Sequence, residues 1–236
     1  MKTLKASERL IVAADNENPT DLARTLMGTG IVFKENVSLR NAGYRNRIDE
    51  IHALGFVYFA DLKLNDIEAT MRRDGKALRP LRPDIDILTV MCNAPLKALR
   101  GIREELPDTE ILGVTVLTDF TEDECQELYG HGIEDQVKYF THRALSAGLN
   151  GIVCAPKEIP FVRSVSGDSL TINTPNIRPA SLPVPGDDQN TARALDIKGA
   201  FDLGVTRIVV GRPILKAADP REAVAQIIRE IVLADP

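Results

Sequence analysis

The chain has 236 residues, 44% hydrophobic and 27% charged, the balance of a folded globular protein rather than a disordered or fibrous one. Lys and Arg total 29 against 34 Asp and Glu, a formal net charge of −5, and aromatics are 5% with no Trp, so neither nucleic acid nor an anionic membrane surface is an expected partner. Three separated cysteines, Cys92, Cys125 and Cys154, form no Cys-x-x-Cys pair, which argues against a metal or redox site and for a reducing cytoplasm.

Reading from the N-terminus, the first apolar run is Leu10 to Ala14, far too short for a signal peptide, and no stretch approaches a membrane span. Pro19 suits the first turn of a helix, and Gly28 and Gly30 suit the left-handed residue where a helix ends. These glycines precede a strand and lack a third partner, so they make a weak dinucleotide motif. Further strand-like runs follow at Ile31 to Phe33, Val57 to Leu62, Ile85 to Val90, Ile111 to Leu117, Gly151 to Cys154, Ser169 to Asn173 and Arg207 to Val210. Between them lie helical segments, with Pro95 at a first turn, a capping box of Thr121 and Glu124, and Gly148 at a helix end. The last helix places Val224, Ile227, Ile228 and Ile231 on one face.

Eight β/α repeats without clean apolar–polar alternation predict a parallel sheet covered on both faces, and at this length a single (β/α)8 TIM barrel spanning residues 1–236. Its active site is expected at the C-terminal ends of the strands. The Pro-rich segment 174–190, after the seventh strand, fits no regular element and is expected to be a lid on the phosphate side.

Charges gather where the strands end. Asp15 follows the first strand, Lys34 the second, and Asp61, Lys63 and Asp66 the third; Asp61 and Lys63 are two apart and should point to the same side. Each alone reads as solvated surface charge, but directly after apolar runs an inward side chain must be paired, and alternating Asp and Lys provide that pairing. Gly211 and Arg212 after the eighth strand offer a close backbone approach and a guanidinium to an oxyanion, with Gln189 as a second donor. His52, His131 and His142 show no ligand spacing, Cys154 reads as a packed strand residue, and Asp187-Asp188 cannot fill a hard-cation shell.

These residues closely resemble the orotidine 5′-monophosphate decarboxylase family, nearly end to end. The resemblance is carried by Asp61-x-Lys63-x-x-Asp66-Ile67 with Thr70, by Asp15 and Lys34, by Gly151-Ile152-Val153-Cys154, by Thr174-Pro175-x-Ile177-Arg178-Pro179, by Asp187-Asp188-Gln189 and by Gly211-Arg212-Pro213. It implies that Lys63 protonates pyrimidine C6, Asp61 lies beside the departing carboxylate, Lys34 completes the charge network and Asp15 holds ribose hydroxyls. Asp66 and Thr70 would reach into a neighbouring subunit's site, making a homodimer. Gln189, Gly211 and Arg212 would grip the phosphate, and Asp119, standing where the family has serine, would accept from the base. Other departures are Glu35-Asn36 after Lys34, Glu68 after Ile67, Met91-Cys92-Asn93-Ala94 after the fourth strand and Asn176 after Thr174-Pro175. No cofactor and no metal are implied. The alternatives are a Mg²⁺-dependent sugar-phosphate decarboxylase or aldolase with the same Asp-x-Lys-x-x-Asp array, and a nucleotide-binding barrel without catalysis.

Overall fold

The computed structural model describes residues 4–15, 18–36, 44–79, 85–184 and 193–235. Eight parallel strands close a barrel in chain order: β1 Leu10–Ala13, β2 Val32–Glu35, β3 Val57–Leu64, β4 Ile87–Met91, β5 Glu110–Val114, β6 Gly151–Val153, β7 Thr171–Thr174 and β8 Arg207–Val210. β8 returns to pair with β1, which removes any open edge. The main helices around it are α1 Pro19–Leu26, α2 Tyr44–Ala53, α3 Glu68–Leu78, α4 Leu96–Glu105, α5 Glu122–Tyr129, α6 Ile133–Ala147, α7 Ile159–Ser166, α8 Ile197–Asp202, α9 Arg212–Leu215 and α10 Pro220–Ala234.

Local signals explain several boundaries. Thr121 and Glu124 form both halves of the expected capping box, and Gly148 ends α6 at φ 73°, where a side chain would be strained. Pro19 opens α1 as expected, whereas Pro95 stands one residue earlier, as the N-cap of α4. Gly28 and Gly30 both have positive φ but lie in the turn beyond Met27, which is the C-cap of α1. On α10, Val224, Ile227 and Ile231 are buried and Ile228 is half-buried.

The near-continuous apolar strands are explained by two separate cores. Leu10 and Val12 on β1, with Phe33, Tyr58 and Leu88, pack outward against the helices. Ile11, Val32, Phe59, Ile87, Leu112 and Val209 pack together inside the barrel. The inward rows carry polar layers above and below that apolar plug. At the floor, both Arg207 guanidinium nitrogens pair with Glu110, at 2.9 and 3.0 Å; Thr171 Oγ1 also donates to Glu110, and Asn173 Oδ1 accepts from Arg207. Glu110→Ala would strip that guanidinium of its carboxylate and leave it the Asn173 hydrogen bond, costing about 2–3 kcal/mol. Thermal denaturation should then shift down by roughly 5–10 °C. An unchanged midpoint would show the pair to be energetically idle. The upper polar layer is where the site forms.

Candidate active site

Continuing the inward rows one step past the plug, Ala13 leads to Asp15, Val32 to Lys34, Phe59 to Asp61 and Ile87 to Thr89. The period of two thus delivers four polar side chains to one level of the mouth. Asp61 is the hub. Its Oδ2 accepts from Lys63 Nζ at 2.8 Å and from Lys34 Nζ at 3.0 Å, while its Oδ1 accepts from Thr89 Oγ1 at 2.8 Å. Lys34 Nζ also donates to Asp15 at 3.4 Å.

The electrostatics follow from burial and pairing together. Burial alone would push the Asp61 carboxyl up, but the Lys34 and Lys63 ammonium groups outweigh it and hold the pKa below the ordinary value. Burial alone would lower Lys34, yet Asp61 and Asp15 outweigh it and the pKa is raised. Both partners therefore stay ionised through the neutral range.

Lys63 reaches Asp61 by a route simple strand alternation does not describe. Ala60 pairs with Leu88 and Leu64 with Val90, so four steps along β3 oppose two along β4, and the strand bulges at Asp61–Lys63. Lys63 sits there at φ 48°, a left-handed conformation disfavoured for a residue with a side chain. Thr89 Oγ1 accepts from the Lys63 backbone N–H at 2.9 Å, so one hydroxyl fixes the bulge and binds the carboxylate. Strain held by such contacts is a mark of functional sites.

The array lines a cavity of about 510 Å³ floored by Ala13, Phe59, Val114, Val153 and Val209. The β7 and β8 ends contribute Arg178, Gly211 and Arg212 to its lining, with Gly211 beside Ala13 of β1. The β5 side contributes Val116, Leu117 and Thr118. This volume suits a ligand of nucleotide size with an anionic end toward the guanidinium groups.

The expected residues divide cleanly. Asp15, Lys34, Asp61, Lys63, Gly211 and Arg212 come together around the cavity. Asp66 and Thr70 lie outside its lining: Asp66 is exposed beyond β3, its carboxylate accepting from the Ile67 N–H, and Thr70 is half-buried in the first turn of α3. Asp119 is exposed and also stands outside, because the turn closed by Phe120 N–H donating to the Leu117 carbonyl at 3.1 Å brings Leu117 and Thr118 to the cavity instead. Gln189 and Asp187-Asp188 lie outside the described residues, as does the end of segment 174–190. In the part described, residues 175–184 form no helix or strand and carry an isolated bridge of Ile177 to Leu195 and a turn in which the Leu182 N–H donates to the Pro179 carbonyl.

Three departures from the resemblance acquire local reasons. Asn176, standing for a glycine, adopts φ 65°, and asparagine tolerates that region better than most residues. Glu35 lies on the outward row of β2, where it accepts from the Tyr58 hydroxyl at 2.8 Å and pairs with Arg47 of α2. Burial pushes its carboxyl up against both partners. Cys92 is fully buried and its thiol is pushed up to about 12 by burial.

The sequence carries only indirect signals for Thr89 and Arg178. Thr89 was detectable as the second residue after Ile87 on an inward row; Arg178 lies in the quoted Thr174–Pro179 motif, but its approach to the cavity depends on the bridge to Leu195.

A family model described as "Orotidine 5'-phosphate decarboxylase / HUMPS family" matches residues 8–227. A curated orotidine 5′-phosphate decarboxylase of Methylobacterium sp. (strain 4-46) is 35% identical over 238 residues, covering 98% of each chain. One from Rhodopseudomonas palustris (strain BisB5) is 34% identical, covering 96% of each. The crystal structure of orotidine 5′-phosphate decarboxylase from Lactobacillus acidophilus superposes with a TM-score of 0.78 at 26% identity, covering 95% of this chain and 99% of that one.

Proposed function

This chain belongs to the orotidine 5′-phosphate decarboxylase / HUMPS family, and from that premise we infer that it decarboxylates orotidine 5′-monophosphate to UMP, without a cofactor, in pyrimidine biosynthesis. The observation that carries this reading is the Lys34–Asp61–Lys63 array sharing a nucleotide-sized cavity with Arg178 and Arg212.

In the reaction the C6–carboxylate bond breaks, CO2 leaves and the electron pair stays in an sp2 orbital at C6. No adjacent carbonyl absorbs that charge, so the site must place a cation where it develops. Lys63 supplies the cation and then transfers its proton to C6, leaving a neutral amine. Asp61 lies beside the departing carboxylate and orients both lysines; Lys34 balances Asp15 and Asp61. Asp15 faces the ribose hydroxyls. Thr118, which lines the cavity where Asp119 does not, meets the base in this reading, and Gly211, Arg212 and Gln189 hold the phosphate, with Arg178 adding positive charge to the cavity.

Asp66 and Thr70 serve a second subunit in this reading. Both lie outside the cavity of their own chain, and the neighbouring Ile67 is 62% exposed, an apolar surface that a homodimer would cover. We place the enzyme in the cytoplasm, where Cys92, Cys125 and Cys154, all free and buried, remain reduced. Among the described residues no helix is long and apolar enough to cross a membrane.

The Mg²⁺-dependent sugar-phosphate reading fits less well, because those relatives place an acid where this chain has Lys34, whose ammonium lies 3.0 Å from Asp61. A spectrophotometric assay of the purified protein with orotidine 5′-monophosphate, combined with light scattering, tests the proposal. Turnover undiminished by chelator, in a dimer, is expected. Tight UMP binding without turnover would favour the non-catalytic reading, and loss of activity in chelator the metal-dependent one.

A further inference from the structure

Arg193 and Glu158 form a buried pair on the β5–β6 side of the mouth, and neither lines the cavity. Glu158 is 2% and Arg193 9% exposed. Arg193 Nη1 donates to two carbonyls of one turn, Leu117 at 3.0 Å and Phe120 at 2.8 Å, while Nη2 donates to Glu158. Glu158 is itself held by the Ala155 N–H, at 3.0 Å, just beyond β6. One guanidinium therefore joins the segment preceding α8, the loop after β6 and the turn after β5. Those two carbonyls bracket Thr118 and Asp119, and Leu117 and Thr118 form the cavity wall.

As a plain stabiliser this arrangement is poorly explained. A buried ion pair recovers its desolvation cost only in part, and apolar residues of similar volume commonly replace one without loss. What apolar side chains cannot do is satisfy two carbonyl oxygens of a tight turn and so determine which of its residues points inward. The planar fork of arginine meets both carbonyls and the carboxylate at once; a lysine ammonium, a single point of charge, does not match that geometry.

We propose that Arg193, oriented by Glu158, is a positioning residue for base recognition: it fixes the Leu117–Phe120 turn against the heterocyclic end of the bound nucleotide without touching the ligand. The inference rests on the nucleotide reading above. It predicts a selective defect, because the pair's hydrogen bonds reach the β5 and β6 ends, whereas Asp15, Gly211 and Arg212, assigned above to ribose and phosphate, extend from the β1 and β8 ends.

The test compares inhibition of turnover by UMP and by D-ribose 5-phosphate, which lacks the base, in the wild-type enzyme, Arg193→Ala and Arg193→Lys. In Arg193→Ala, UMP inhibition should weaken about 10- to 100-fold while ribose 5-phosphate inhibition changes by less than roughly twofold. Arg193→Lys should show the same selectivity to a smaller degree, and it carries the comparison if the alanine variant does not fold. Equal weakening of both inhibitors, or no weakening of either, overturns the proposal. A wild-type protein that neither turns over orotidine 5′-monophosphate nor binds UMP would instead overturn the nucleotide reading itself.

Discussion

Lys63→Ala is expected to lower kcat on orotidine 5′-monophosphate by at least about 10⁴-fold, since one group supplies both the proton and the cation facing the carbanion. Affinity for UMP should change by less than about tenfold, because the product carries no charge at C6 and its base, ribose and phosphate contacts are assigned to other residues. The structure gives this prediction its sharpness. Lys63 is held at φ 48° by a backbone bond to Thr89 and a 2.8 Å ion pair to Asp61, so its ammonium is placed before substrate arrives. Preorganisation of this kind acts on the transition state more than on binding. A variant retaining most of its kcat would remove Lys63 from the chemical step.

The second large effect falls on Asp61. Asp61→Asn keeps the size of the side chain but leaves two ammonium groups facing each other, with Lys34 only 6% exposed and its remaining carboxylate, Asp15, 3.4 Å away. We expect kcat to fall about 10³-fold, since misplacing a positioned proton donor by small distances is costly. Folding stability at neutral pH should drop by roughly 3 kcal/mol, the usual cost of stranding one partner of a buried pair.

The pH dependence has a definite sign. Asp61 is held below its ordinary value of 3.8 in the native state, so its stabilisation is complete above that value and is lost as pH falls through the native pKa. Lys34 is raised above 10.5, so its share is complete below that value and disappears only as pH rises through the native pKa. The stability gap between wild type and Asp61→Asn should therefore be flat across neutral pH and narrow in acid. Denaturant unfolding at a series of pH values measures it; a gap that widened in acid would mean that Asp61 is not ionised and paired in the native state.

The chain's own pattern determined more of this than its lack of clean alternation suggested. Local spacing was enough for the eight strands, because each barrel strand is short and apolar on both faces and each is followed by a helix with one apolar stripe. The strand ends were less legible: the run ending at Leu117 is a strand only to Val114, since Val116 and Leu117 already turn into the cavity mouth. Asp15, Lys34 and Asp61 could be chosen from sequence because each directly follows apolar residues, where a charge demands a partner, Lys63 because it stands two residues from Asp61, and Gly211 and Arg212 because a glycine and a guanidinium at a strand end suit an oxyanion.

Contacts between distant segments decided the rest. No spacing rule finds Thr89 bound to Asp61 across 28 positions, or Arg193 bound to Leu117 across 76. Nor does the sequence show the β3 bulge, which depends on the register against β4 rather than on β3 itself. Asp119 and Thr118 are adjacent in the chain, and only the turn clamped by Arg193 determines which of them meets the cavity. Residue types and their periodicity select the elements and the charges at their ends because those depend on near neighbours. Closure of the barrel then sets the pairings, because it brings the ends of eight strands within hydrogen-bond reach of one another.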